Sequence, residues 1–312
     1  MTAYLIFFAI VVLIYAIAVL GLNLQWGYTG VFNAGVVGFL AVGGYVAAIL
    51  VGPPASGRFG GFELPFVVGI VGAMAASALA ALIIGLATIR LREDYLAIAT
   101  FGIALAIQLV ALNADPLTGG ANGIPGIRRP LADWFDSPFA YGVFYLAVVA
   151  AIALVAYLAI EAIVRSPWGR VLRAIREDEA AAQSLGKSIT RFRMEAFVLG
   201  SALMGLSGAL YVGATGFISP ADFAPVVTFQ LWTMLIVGGS GNNRGAMLGT
   251  LVVWGLWAAS GKLITDLLPT RLHAQAAGGQ VILVGLTLVL MLLYRPRGLI
   301  GEAPTVSRHA GA

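Results

Sequence analysis

Residue types that carry out bond chemistry are scarce in this chain. Its 312 residues include no cysteine and two histidines, His273 and His309. The absence of cysteine excludes disulfides, thiolate nucleophiles and Fe–S clusters, and two histidines alone do not suggest a metal site. No charged residue lies in the middle of an apolar stretch, where it could serve as a general acid or base. We therefore predict no catalytic residue and no metal site, which disfavours an intramembrane enzyme.

One short stretch comes close to a nucleotide-binding motif. Residues 181–188 read AAQSLGKS, near the phosphate-loop pattern GxxxxGK[ST]. A phosphate loop needs a strand, a Gly-rich turn and a helix in succession. Here the first glycine is missing and no strand precedes the stretch. We predict that this chain itself binds no cofactor, and that any ATP and Mg²⁺ would be bound by partner subunits.

The composition of the chain is strongly apolar. Hydrophobic residues make up 60% of the chain and charged residues 10%, whereas soluble domains carry about 25% charged residues. The mean hydropathy is +0.95. An apolar excess of this size predicts an integral membrane protein in contact with lipid, organised as one transmembrane domain over residues 1–312.

The apolar residues fall into nine blocks separated by polar or Gly-rich breaks. The blocks cover residues 4–22, 31–51, 64–89, 95–112, 139–164, 195–212, 226–237, 246–260 and 280–294. Their length and the absence of strand alternation predict an all-α, polytopic bundle of about eight to ten transmembrane helices. A signal peptide is the alternative for residues 1–22, but the positive residue and short apolar core of such peptides are missing. We favour a retained helix.

Charge placement predicts the orientation of the bundle. Residues 165–193 hold seven of the 18 Lys and Arg residues, so this segment should be cytoplasmic. Nine spans would then place the N-terminus and the loop at 113–138 outside, with the tail at 302–312 inside. A tenth span would move the N-terminus inside. The net charge of +4 reflects this orientation, and no nucleic acid is expected as a partner.

The basic segment also carries helix signals. Ser166 can cap a helix that has Pro167 at its first position. One apolar stripe follows, formed by Trp168, Val171, Leu172 and Ile175. Acidic residues then precede three alanines, and Gly186 suits a helix end. The pattern predicts two short consecutive helices.

Two interpretations of these helices stay open. They form a solvated loop that only sets orientation, or the second helix docks into a partner, since its three alanines give a narrow face. A loop that only set orientation would not need helical caps and an apolar stripe.

Glycine is abundant, at 40 residues, and clusters near a few uncharged polar side chains. Residues 27–38 read GYTGVFNAGVVG, and residues 241–249 contain GxxxGxxxG. Small residues let membrane helices pack closely, or they break helices beside a substrate path. The residues predicted for a translocation path are Gly30, Asn33, Gly35, Gly38 and Gln108.

A stand-alone secondary carrier is the rival transport hypothesis. Proton-coupled carriers need ionisable groups inside the membrane, and none lies in the middle of a block here. A cation-coupled carrier that uses backbone carbonyls stays open.

Six stretches, taken together and in order, resemble one family. They are GYTGVFNAGVVGFLAVGGY at 27–45, LREDYLAIATFG at 91–102, LTGGANGIPGI at 117–127, SPWGRVLRAIREDEAAAQSLG at 166–186, VGGSGNNRGAMLG at 237–249 and RPRGLIG at 295–301. Over nearly its whole length the chain resembles the LivM-type permease subunit of branched-chain amino acid ABC importers.

The resemblance implies partners and a role in coupling. It implies a homologous LivH-like permease, two ABC ATPase subunits below, and a periplasmic substrate-binding protein above, in the bacterial inner membrane with its lipid. The family's coupling segment falls on Arg176, Glu177, Asp178, Glu179, Ala180, Ala181, Ala182 and Gly186, with Glu179 one place earlier than the family's glutamate. By topology Gly119, Gly120 and Asn122 would face the binding protein.

The resemblance also implies the substrate class. Leu, Ile and Val are expected, although relatives of this kind also serve urea, short amides and aromatic acids, and much of the selectivity lies with the binding protein.

Overall fold

The computed structural model describes residues 2–267, 269 and 273–302, and these residues form an all-helical bundle. The helices are α1 Thr2–Leu22, α2 Val36–Val51, α3 Phe66–Thr88, α4 Glu93–Asn113, α5 Asp115–Thr118, α6 Pro138–Arg165, α7 Pro167–Glu177, α8 Glu179–Ser184, α9 Ile189–Thr215, α10 Pro225–Gly238, α11 Asn243–Leu267 and α12 His273–Tyr294. A π-helical turn, Asn23–Gly27, follows α1, and short 3₁₀ turns lie at Gly120–Asn122, Ala132–Trp134 and Pro220–Phe223. Within the described residues the one β feature is the isolated bridge Ile124–Ile218.

Each of the nine apolar blocks corresponds to one helix, which confirms the predicted all-α polytopic class. Six helices of the described chain are long and apolar enough to cross a membrane, whereas α2, α10 and the apolar part of α12 are shorter. With 16 and 14 residues, α2 and α10 reach roughly 24 and 21 Å at about 1.5 Å per residue. A hydrocarbon core of about 30 Å therefore leaves irregular backbone next to both.

The two short helices lie in the centre of the bundle with α1 and α9. Buried residues fill 67% of the apolar window of α1 and 72% of that of α9, against 17–28% for α3, α4, α6 and α11. Most residues of α2 and α10 are buried as well. The irregular backbone at residues 28–35, before α2, is buried or half-buried, the condition under which a membrane interior tolerates it.

Small residues allow the central helices to pack closely. A Cβ added at Gly43 of α2 would overlap the backbone of Gly205 in α9, and one added at Gly249 would overlap α10 at Met234 and Gly238. Gly245 meets α10 in the same way. The close-packing role predicted for GxxxGxxxG is confirmed for Gly245 and Gly249, whereas Gly241 precedes α11 in a turn.

The outer helices turn apolar side chains away from the bundle. Exposed large residues of α3 include Val67, Val71, Ile83 and Leu86, and those of α6 include Leu154, Val155 and Leu158. Faces of this kind suit lipid or another apolar subunit.

Basic residues mark one end of the bundle. We call the end that carries α7, α8, Arg90, Arg244 and Arg295 the basic end. Nine described helices, α1, α2, α3, α4, α6, α9, α10, α11 and α12, run alternately between the two ends, so that α1 starts opposite the basic end and α12 finishes at it. By the positive-inside rule we expect the basic end to face the cytoplasm, and this orientation stays a prediction. Of the predicted tail at 302–312, residues 303–312 lie outside the described part of the chain.

Candidate functional site at the basic end

The predicted helices of the basic segment are present as α7 and α8. Ser166 caps α7 through its hydroxyl and Pro167 begins the helix. Leu172 and Ile175 are fully buried, and Trp168 Nε1 donates a 2.7 Å hydrogen bond to Glu195 Oε2. The apolar stripe therefore fastens α7 to the bundle and is not a free docking face.

Helix α8 is held on one side and free on the other. Asp178 Oδ1 accepts a 2.9 Å hydrogen bond from Ala181 N, which caps the helix. Glu179 forms an ion pair with Arg193, and Ala182 is 3% exposed. On the opposite side Ala180 and Ala181 are exposed.

A leucine next to α8 extends this free side. Leu185 is 79% exposed and lies one helical turn after Ala181. Gly186 ends the helix at φ +74°, and Lys187 N donates back to Ala182 O at 3.2 Å, a glycine-terminated cap. Ala180, Ala181 and Leu185 together form the exposed apolar part of this free side.

Arg176, near the end of α7, points the other way, into the bundle. One guanidinium nitrogen donates to the carbonyl of Gly27, and the other lies 2.7 Å from Glu302 Oε2. The side chain of Arg176 is 24% exposed, whereas that of Glu177 is 69% exposed. These two neighbouring charged residues of the predicted coupling segment thus have different surroundings.

Two further sequence stretches meet at the same place. Leu299 N donates to Val237 O at 2.8 Å and Ile300 N donates to Gly238 O at 3.0 Å. These bonds fix residues 295–302 across the turn that joins α10 to α11. Stretches from four distant parts of the sequence, around residues 27, 176, 241 and 300, therefore converge at the basic end.

Buried amide side chains link these stretches through hydrogen bonds. Asn23 Oδ1 accepts from Gly241 N at 2.8 Å, and Asn23 Nδ2 donates to Asn243 Oδ1 at 2.9 Å. Asn243 Nδ2 donates in turn to Glu161 Oε2 at 2.8 Å. Asn23 and Asn243 are at most 1% exposed, so the chain of amides satisfies groups that water cannot reach.

A cavity of about 340 Å³ opens beside these amides. The Arg173 guanidinium lies 5.8 Å from the centre of the Tyr28 ring, within cation–π range. Burial, and secondly the charge of Glu161, raise the pKa of the Tyr28 hydroxyl well above its ordinary value, so the ring stays neutral. Among the described residues no cluster of His, Asp and Glu fit to hold a metal ion is present.

Asn33 lies deeper in the bundle and is fully buried. Its Nδ2 donates to Gln25 Oε1 at 2.8 Å and its Oδ1 accepts from Gly35 N at 2.8 Å. The Asn33 carbonyl accepts from Trp232 Nε1 at 3.0 Å. In this conformation Asn33 holds the connection between the π-helical turn and α2, and its place on a translocation path stays a prediction.

The other residues predicted for the path are only partly brought together. A Cβ at Gly35 would overlap Thr100, and one at Gly38 would lie 3.0 Å from Ala104 Cα, so both glycines face α4. Gln108, one turn beyond Ala104, donates to Pro220 O at 3.1 Å. Gly30 instead contacts Arg176.

The loop predicted to contact a binding protein lies at the end of the bundle opposite the basic end. The bridge Ile124–Ile218 and a 3.0 Å bond from Ile127 N to Gly216 O tie it to the end of α9. Within it Asn122 is exposed, Gly119 is partly exposed and Gly120 is buried. Contact with a binding protein stays a prediction for all three.

Sequence reasoning missed Asn23, Gln25 and Leu185. The first two are polar residues at the end of the first apolar block, where LNLQWG interrupts an uncharged run. Polar residues that interrupt an apolar run in this way are a signal from which both could have been found. Leu185 could be found only from its exposure, because an isolated leucine next to a serine has no periodic pattern.

Comparison with known proteins gives one consistent result. The family model described as branched-chain amino acid transport system / permease component matches residues 4–293. The high-affinity branched-chain amino acid transport system permease LivM of Escherichia coli K12 is 31% identical over 94% of this chain and 69% of its own length. The probable LivM and LivH permeases of Methanocaldococcus jannaschii are 30% and 27% identical, over 94% and 90% of this chain and 92% and 87% of their own lengths. No solved structure matches significantly.

A bundle in which six of the described helices are long and apolar enough to cross a membrane is a multi-pass membrane protein. The chain belongs to the permease family of branched-chain amino acid transport systems.

Proposed function

We propose that this chain is one transmembrane subunit of an ATP-driven importer in the bacterial inner membrane, and that α8 docks into its ATPase partners. It pairs with a homologous LivH-like permease, receives solute from a periplasmic binding protein, and is driven by two ABC ATPases that bind ATP and Mg²⁺. The chain itself carries out no bond chemistry.

One observation carries the docking part of this proposal. Leu185 is 79% exposed and continues the exposed alanine side of α8, while Ala182 and Glu179 hold the other side to the bundle. A short helix held in this way suits a hydrophobic groove, because exposed apolar anchors supply most of the energy of such contacts. Force applied to α8 would pass directly into the bundle.

The proposed cargo is Leu, Ile and Val, because the LivM relatives are named as branched-chain amino acid transport permeases. Urea, short amides and aromatic acids are the alternatives. The proposed path runs by Gly30, Asn33, Gly35, Gly38 and Gln108, and opens when the buried contacts of Asn33 are exchanged for others. Asn122, exposed at the opposite end, is the proposed contact of the binding protein, with Gly119 and Gly120 shaping its turn.

A cross-linking experiment tests the docking. The chain has no cysteine, so Ala181→Cys introduces a single thiol on the free side of α8. The variant is expressed with its genomic neighbours, labelled in isolated membranes with a photoactivatable maleimide, and its adducts are identified by mass spectrometry. We expect an adduct with an ATP-binding subunit.

Ala182→Cys is the matched control, since the neighbouring position is buried and should label slowly and give little adduct. If Ala181→Cys is labelled but captures no ATPase, the docking proposal fails and a stand-alone carrier becomes the better hypothesis.

A further inference from the structure

We propose that Arg176 does not contact the ATPase but joins the coupling helices to the backbone beside the translocation path, so that movement of α8 shifts the connection at residues 28–35. This inference rests on the proposed function and assigns a positioning role to one residue within it.

The first argument is the direction of the side chain. Arg176 and Glu302 are 24% and 31% exposed, whereas Glu177, which approaches the same guanidinium at 3.9 Å, is 69% exposed. A residue that served mainly as a docking contact would turn its charge outward. Arg176 instead places its guanidinium between Gly27, Gly241 and Glu302.

The second argument is the chemistry of the acceptor. Gly27 is the last residue of the π-helical turn, and carbonyls at a helix end lack partners within the helix and carry partial negative charge. A guanidinium has several donors in a fixed fork and can serve this carbonyl and the Glu302 carboxylate together. The ammonium of lysine lacks that geometry.

The third argument is the path of the backbone around the arginine stem. Gly30 has φ +77°, and a Cβ at this position would lie 3.4 Å from Arg176 Cγ and 3.9 Å from its Cβ and Cα. The connection that leads to Asn33 therefore lies directly against the aliphatic part of the Arg176 side chain. Because α7 is anchored by Leu172 and Ile175, α7, Arg176 and the connection can move together.

The proposal is tested by measuring whether substitutions of Arg176 uncouple ATP hydrolysis from solute uptake. Arg176→Gln and Arg176→Lys are produced with the complete importer, and ATP hydrolysis is measured in membrane vesicles beside uptake of radiolabelled leucine, isoleucine, valine, urea and phenylalanine. We expect ATPase subunits to copurify at the wild-type ratio and hydrolysis to stay within twofold. Uptake of the imported solute should fall at least tenfold for Arg176→Gln, and less for Arg176→Lys.

Arg170→Gln is the matched control, because Arg170 is exposed on the same helix; it should change neither measurement. If Arg176→Gln keeps uptake and hydrolysis in the wild-type ratio, or loses the ATPase subunits as a docking variant would, the proposal is overturned while the proposed function stands. If the wild type itself retains no ATPase subunit, the proposed function fails.

A disulfide supplies a second test that loss of folding cannot mimic. The Gly30–Arg176 Cβ separation of 3.9 Å falls within the disulfide range of about 3.5–4.5 Å. In this cysteine-free chain the double variant Gly30→Cys/Arg176→Cys should be uncoupled when reduced and regain coupled uptake at least fivefold when oxidised. Gly30→Cys alone should not respond to oxidant. If the disulfide forms without restoring uptake, α7 and the connection do not move together and the proposal is wrong.

Discussion

Asn23 and Asn243, 220 positions apart, share a 2.9 Å hydrogen bond between Nδ2 of the first and Oδ1 of the second. The bond joins the π-helical turn after α1 to the first turn of α11, and Asn243 carries it on to Glu161 of α6. The C-terminal ends of α1 and α6 and the start of α11 are thereby fixed relative to one another at the basic end.

Replacing Asn23 by leucine should destabilise the bundle at this junction. Asn23→Leu leaves Gly241 N and Asn243 Oδ1 without their partners at buried positions, and each unpaired buried group costs about 1–3 kcal/mol. We expect a lower thermal unfolding midpoint in detergent, read by loss of the monodisperse peak. Asn113→Leu, at an exposed position that bonds only within its own helix, should leave the midpoint unchanged. If both substitutions lowered the midpoint equally, the buried hydrogen bonds of Asn23 would have no special role in stability.

The ends of several helices could be predicted from the sequence because apolar runs and turn residues coincide there. Block ends at Leu22 and Val51 match the ends of α1 and α2. The start of α2 did not match: the apolar block begins at residue 31 but the helix begins at Val36. Val31 and Phe32 are apolar yet belong to a connection held by Asn33, and hydropathy does not register such tertiary contacts.

In the predicted coupling segment, too, local sequence patterns predict the helices but not the direction of single side chains. Capping residues and spacing predicted α7 and α8, since both signals act within one turn of helix. The direction of Arg176 depends on Gly27 and Glu302, which lie 149 and 126 positions away. No local pattern carries that information.

Enlarging Gly205 should separate α3 from α9. A Cβ at this position would overlap Ser77 Oγ and the carbonyl of Ala73, and overpacking a closed core costs about 1–3 kcal/mol or more. Gly205→Leu should therefore lower the yield of folded protein from membranes several-fold. Gly102→Leu lies in a helix with no atom within 4 Å of the new Cβ and should give the normal yield; a normal yield for Gly205→Leu would contradict the packing argument.

A charge at Leu185 should prevent docking without affecting folding. Because the side chain is 79% exposed, Leu185→Asp should leave the unfolding midpoint unchanged. Removing a central apolar anchor costs more than about 1 kcal/mol of binding free energy, so recovery of ATPase subunits on the purified permease should fall about fivefold or more. Leu185→Met should retain them. Full recovery with aspartate would show that α8 docks through other residues or not at all.

Asn33 allows a structural role to be separated from a transport role. Asn33→Leu leaves Gln25 Oε1 and Gly35 N unpaired, so it should lower stability and uptake together. The double variant Gln25→Leu/Asn33→Leu removes the unpaired Gln25 Oε1, but it leaves Gly35 N unpaired and loses the bonds of Gln25 to Phe197 O and Ser201 Oγ. Its unfolding midpoint should therefore fall by less than the sum of the two single variants. We expect uptake to stay at least tenfold low in the double variant, because a path beside Asn33 needs its polar group once the connection moves. Uptake that followed stability across these variants would mean that Asn33 only holds the backbone, and the path would then have to run elsewhere.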